Sequence, residues 1–164
     1  MKAKMRVLGI DPGSTLIGYA LVRDEGVFTL EDCGLLEIKE KDPSYKLLEI
    51  KNEINKIIEE YKPDIIGVEK LFFAKNKKTA IEVAQARGVI VAQALSVQKN
   101  LVELTPMQVK STVVGYGSAD KKAVSKITAR ILNLKEEIKE DNTADAVAIA
   151  IASAMEYKAR KLEN

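Results

Sequence analysis

The chain has 164 residues, 46% of them apolar and 30% charged, the proportions of a single soluble globular domain with one core. It has no histidine, which excludes a Ser-His or Cys-His nucleophile pair and a histidine-ligated zinc, and its one cysteine, Cys33, excludes an internal disulfide framework and fits a reducing cytoplasm. The formal net charge of +2 hides an asymmetry: residues 70–130 carry 11 Lys and Arg against 3 Asp and Glu, and the remainder carries 15 against 21, so the middle of the chain offers a basic face to a polyanion. No apolar run approaches the length needed to span a bilayer. The basic N-terminus lacks the features of a signal peptide, because Asp11-Pro12-Gly13 breaks the apolar run behind it.

The first apolar run, residues 6–10, is too short for a helix, and Pro12-Gly13 forces a turn directly after Asp11. Residues 17–23 and 27–36 follow across tight turns, which predicts an antiparallel meander of three strands. Pro43-Ser44 opens a helix to Tyr61 with one apolar stripe through Leu47, Ile50, Ile54, Ile57 and Ile58. Residues 65–69 form a short strand with no alternation, as in a parallel strand buried on both faces, and it ends in Glu69. A loop over 70–78 precedes a helix over 79–99 that is apolar around more than one stripe, which predicts burial on a second side, against a partner subunit. Residues 101–104 read as a fifth strand. Thr105-Pro106 caps a short helix through Val113, Asp120 caps a basic helix through Leu132, and a last, strongly apolar helix runs over 143–162. The pattern is α/β: a five-stranded mixed sheet, a meander of strands 1–3 and then parallel strands 4 and 5, with helices on both faces, in one domain over 1–164.

Three apolar segments deliver acids. Asp11 ends strand one, Glu69 ends strand four, and Asp145 lies in the first turn of the last helix, with Asp141 and Asn142 just before it. Each has an ordinary explanation alone: a turn acid, a strand-end acid, an acid favoured by a helix N-terminus. If strand four lies parallel beside strand one, however, Asp11 and Glu69 emerge at one sheet edge. Clustered carboxylates repel one another unless cations sit among them. With oxygen-only donors the expected ions are Mg2+ or Mn2+, in a two-ion site suited to phosphodiester hydrolysis.

The chain resembles the RuvC family of Holliday junction resolvases over nearly its full length. The residues that carry the resemblance are Gly9-Ile10-Asp11-Pro12-Gly13, Val68 through Asn76, Gln85-Ala86-Arg87-Gly88, Gln108-Val109-Lys110 with Gly115 through Ala119, and Ala144 through Ala150. The resemblance implies a ribonuclease H-like fold and a cytoplasmic homodimer that nicks two symmetric strands of a four-way DNA junction in recombination and repair. It also implies RuvA-RuvB as branch-migration partner. By the same resemblance Asp11, Glu69 and Asp145 are metal-binding acids, Phe72 contacts bases near the crossover, and Lys110 and Lys121 stand near the scissile phosphate. Lys70, Lys75, Lys77, Lys78, Arg87 and Lys122 are the remaining candidates for DNA binding, and Phe73 is expected in the core.

The chain departs from the family pattern at Asn142, where an Asp or His is usual three residues before Asp145. Asp141 is a candidate to replace it as ligand, although on the predicted boundaries it lies in the loop and reaches the Asp145 face only if the helix winds back. The alternative function is therefore a junction-binding protein of the same fold that cleaves weakly or not at all because of Asn142.

Overall fold

The computed structural model describes residues 4–71, 77–97 and 100–162, and the side chains of Lys77 and Lys78 lie outside it. Its elements are β1 (Met5–Asp11), β2 (Leu16–Asp24), β3 (Phe28–Glu37), α1 (Pro43–Tyr61), β4 (Ile65–Glu69), α2 (Lys77–Val97), β5 (Leu101–Leu104), α3 (Pro106–Val114), α4 (Lys121–Ile131) and α5 (Asp141–Leu162). The sheet order is β3-β2-β1-β4-β5, with β1–β2 and β2–β3 antiparallel and β1–β4 and β4–β5 parallel. This is the expected mixed sheet.

Alternation along the strands splits the core in two. Met5, Val7, Ala20, Val22, Ile65, Val102 and Leu104 face α3, α4 and α5. Leu8, Ile10, Ile17, Leu21, Ile66 and Val68 face α1 and α2. With a side-chain period of 2, Gly9 and Asp11 continue the Val7 face, and Gly67 and Glu69 continue the Ile65 face. Both acids thus project toward α5.

Glycines let α5 lie unusually close to the sheet. A Cβ at Gly9 would overlap the Ala146 carbonyl, one at Gly67 the Ser153 side chain, and one at Gly18 the Asn142 carbonyl. These positions follow one another along a single face of α5, so the helix beds in a glycine trough across β2, β1 and β4.

The expected caps are present at α3 and α4, and α1 has one of the same kind. The Asp42 carboxylate accepts from the Ser44 and Tyr45 N–H groups, Thr105 and Gln108 form a reciprocal capping box, and Asp120 accepts from the Ala123 N–H. The start of α5 differs from the sequence expectation. It begins at Asp141, not Thr143, because Glu140 caps it: its carboxylate accepts from the Asn142 N–H at 3.1 Å and the Thr143 N–H at 2.6 Å.

Helix α2 packs on α1 through Ala86, Ile90 and Ala94, and Gln93 Nε2 donates to Asn55 Oδ1 at 2.7 Å. Its other side is open: Ile81 is 62% and Leu95 52% exposed, with Ala84, Gly88 and Ala92 exposed between them. Residues Thr79–Val97 are long and apolar enough, by length and composition, to cross a bilayer, which corrects the expectation that no apolar run approaches that length. Arg87 and Gln93 interrupt the run, and both bond into the fold.

Candidate active site

Asp11 ends β1 and Glu69 ends β4, one residue beyond the last β1–β4 pair, Ile10↔Val68. Helix α5, bedded in its trough, brings Asp145 over this edge. Beside it on the same face of the sheet, α3 and α4 bring Lys110 and Lys121, so that Glu69, Lys110, Lys121 and Asp145 line one cavity of about 190 Å³ with Val109 and Val124 in its wall. Lys121 is the first residue of α4, fixed by the Asp120 cap beside it, and its Nζ stands 3.0 Å from Asp145 Oδ2 and 3.7 Å from Asp141 Oδ2.

The carboxylates are frustrated. Burial pushes the Asp11 carboxyl up to about 7, with the charges of Asp145 and Glu69 adding to the effect. Glu69 is also pushed up to about 7, by burial first and by the charge of Asp145 second, with Lys121 and Lys110 partly relieving it. Burial works to lower the Lys121 ammonium, but the hydrogen bond and charge of Asp145, and the charges of Asp141 and Asp11, outweigh it and hold the group above the usual lysine range. The acids therefore lack countercharge, and a lysine supplies part of it.

A stability prediction follows, with its sign fixed by linkage. Asp11 and Glu69 have ordinary values of 3.8 and 4.5 and folded values near 7, so the folded chain binds more protons than the unfolded chain between those limits. Stability is full below about pH 4 as far as these two groups are concerned, and falls as pH rises through 7. With all metal chelated, Tm should be lower at pH 8 than at pH 5 by at least about 5 °C. Replacing Asp11 and Glu69 together by Asn and Gln should flatten that difference.

Of the other expected residues, Lys70 and Lys122 are exposed, and the Lys70 N–H pairs with the Leu104 carbonyl at 2.7 Å. Phe72, Phe73 and Lys75 lie outside the described residues, as do the side chains of Lys77 and Lys78. One expectation is corrected. Asp141 needs no winding of the helix to join Asp145, since it already occupies the first turn of α5, four residues before Asp145 on the same face. Arg87, also expected among the DNA-binding cations, has a side chain only 19% exposed: its Nε donates to the Glu69 carbonyl at 2.9 Å, and its guanidinium pairs with the Glu103 carboxylate. Sequence reasoning missed Glu140. It caps α5, receives the Asn142 side-chain amide at 3.4 Å, and lies near enough to help raise Asp11.

The donor set fits hard divalent ions. It consists of carboxylate oxygens, two of them in groups raised to about 7 by burial first and by neighbouring carboxylate charge second. Among the described residues no three acids close on one point at ligating distance. The Lys121 ammonium lies among the carboxylates instead.

An antiparallel meander continued by parallel strands, with acids from β1, β4 and the start of α5 at one edge, defines a ribonuclease H-like hydrolase fold. The family model for "Crossover junction endodeoxyribonuclease RuvC" matches residues 7–153. Among curated relatives, the crossover junction endodeoxyribonuclease RuvC of Caldicellulosiruptor saccharolyticus is 42% identical and that of Halothermothrix orenii 44%, covering 90% and 94% of this chain and the same shares of their own. Thermus thermophilus RuvC, solved alone and in complex with Holliday junction substrate, superposes with a TM-score of 0.86 at 28% identity over 95% of this chain and 96–97% of its own. The chain belongs to the RuvC family of crossover junction endodeoxyribonucleases.

Proposed function

We propose that the chain, as one nuclease domain over 1–164, resolves four-way DNA junctions by paired, symmetric phosphodiester hydrolysis, with Asp11, Glu69 and Asp145 as the central acids and Asp141 beside them. The observation that carries this is the convergence of acids from β1, β4 and α5 in front of Lys110 and Lys121. These carboxylates would hold Mg2+ or Mn2+, which when bound would supply an activated water and charge stabilisation at the leaving oxygen. Lys121 orients Asp145 and releases its charge toward an incoming phosphate, and Lys110 faces the same cavity from α3. Lys70 and Lys122 extend the basic track for the DNA arms, with Lys75, Lys77 and Lys78 as further phosphate-binding candidates by sequence and Phe72 as a candidate base contact.

Symmetric nicking calls for two sites related by a two-fold axis. The stripe Ile81-Ala84-Gly88-Ala92-Leu95 on α2 supports a homodimer, since small residues flanked by larger apolar ones let two helices approach closely, and a Cβ at Gly88 would meet open space. That face is read as a subunit contact rather than a membrane span. Family membership extends the expectation of RuvA-RuvB as a branch-migration partner, and the single cysteine supports a cytoplasmic location. The test is a labelled four-way junction incubated with each metal, with oligomeric state measured in parallel. Paired nicks at symmetric positions from a dimer are expected, and a monomer that nicks singly would overturn the reading.

The junction-binding alternative rests on Asn142. Its amide donates to Glu140, which already caps α5. Asn142→Asp replaces that donor with a second carboxylate beside Glu140. It should lower Tm without metal, raise it with metal, and reduce the metal concentration for half-maximal cleavage on the order of 10-fold. A metal titration of cleavage and melting on both versions measures this.

A further inference from the structure

We infer that Arg87 is a positioning residue for Glu69, a brace that fixes the end of β4 from the face of the sheet opposite α5. This rests on the assignment of Glu69 as a central acid. Glu69 lies past the last β1–β4 pair, so on leaving the β1 ladder its peptide needs another anchor. Two are present. The Lys70 N–H bonds to the Leu104 carbonyl at 2.7 Å, and Arg87 Nε donates to the Glu69 carbonyl at 2.9 Å. The same guanidinium pairs with Glu103, whose Cα partner in the β4–β5 register is Val68, immediately before Glu69.

One planar fork therefore ties helix α2, the last peptide of β4 and strand β5 at a single point. The Glu69 side chain points to the α5 face and Arg87 holds its backbone from the α1–α2 side, so Arg87 acts through Glu69 and not on the DNA. Side-chain direction at a strand end is only as well defined as the peptide that carries it. A displacement of about 1 Å in a reacting group costs on the order of 10²-fold in rate.

Lysine separates this role from a phosphate contact. A lysine in a basic track still holds phosphate as a point charge, whereas one ammonium lacks the planar fork that serves the Glu69 carbonyl and the Glu103 carboxylate together. In the full chain, Arg87→Lys should lower single-turnover cleavage at saturating junction about 10-fold, and Arg87→Met about 10²-fold. Junction Kd should change less than about 3-fold in both. Hydrogen exchange at the Lys70 amide should speed up in Arg87→Lys without metal or DNA present. Wild-type turnover in Arg87→Lys, or a Kd that rises while saturated turnover holds, overturns the proposal. If Arg87→Met does not fold, Arg87→Lys decides alone. Glu69→Gln run alongside keeps the two questions apart: if it cleaves normally, the site assignment has failed; if it is dead while Arg87→Lys is normal, only the brace has failed.

Discussion

Glu69→Gln should stop cleavage and keep the junction bound. The substitution preserves shape and removes a charge that the fold holds at some cost, since burial and Asp145 already drive this carboxyl toward its neutral form. Loss of turnover on the order of 10³-fold is expected, the scale at which deleting one transition-state-stabilising group acts. Affinity should hold or rise slightly, because DNA binding draws on lysines and the lost charge repels phosphate. The apo variant should also melt higher than the parent at pH 8, since one frustrated carboxylate is gone. Single-turnover cleavage, junction binding and a melt at pH 8 form one experiment. Cleavage at the parent rate would falsify the assignment of Glu69.

Gly18→Ala should have the second largest effect, although Gly18 carries no chemistry. A Cβ there meets the Asn142 carbonyl, a backbone atom in the first turn of α5 that cannot step aside as a side chain could. The helix end must rise off the sheet, carrying Asp141 and Asp145 away from Asp11. Stability should fall by about 1–3 kcal/mol, the usual cost of overpacking. Cleavage should fall on the order of 10²-fold at temperatures where the variant is fully folded. A near-normal rate in the folded variant would mean that the height of α5 above the sheet does not control the site.

The sheet and its acids were legible in the sequence because short apolar runs end in turn residues, and because Asp11 and Glu69 share a side-chain face once β1 and β4 are parallel. The α5 boundary was not, since Glu140 is an uncommon capping residue and its segment reads simply as acidic loop. The partners of Arg87 were hidden for a different reason. A cation in a basic segment looks like a phosphate contact, and its partners Glu69 and Glu103 become neighbours only when the fold forms. Gly18 did leave a signal, because a glycine inside a strand often marks close approach by another backbone.

The sheet also acts as a partition. The acidic edge lies on the face toward α5, and the apolar stripe of α2 lies beyond the other face. If copies associate through α2 as proposed above, substitutions that retune that contact can accumulate there without touching an acid, and the acidic edge can be adjusted without disturbing it. The tether from Arg87 to the end of β4 crosses that partition. It is the place where a change made for assembly would be felt as a change in rate, and where the two activities would have to evolve together.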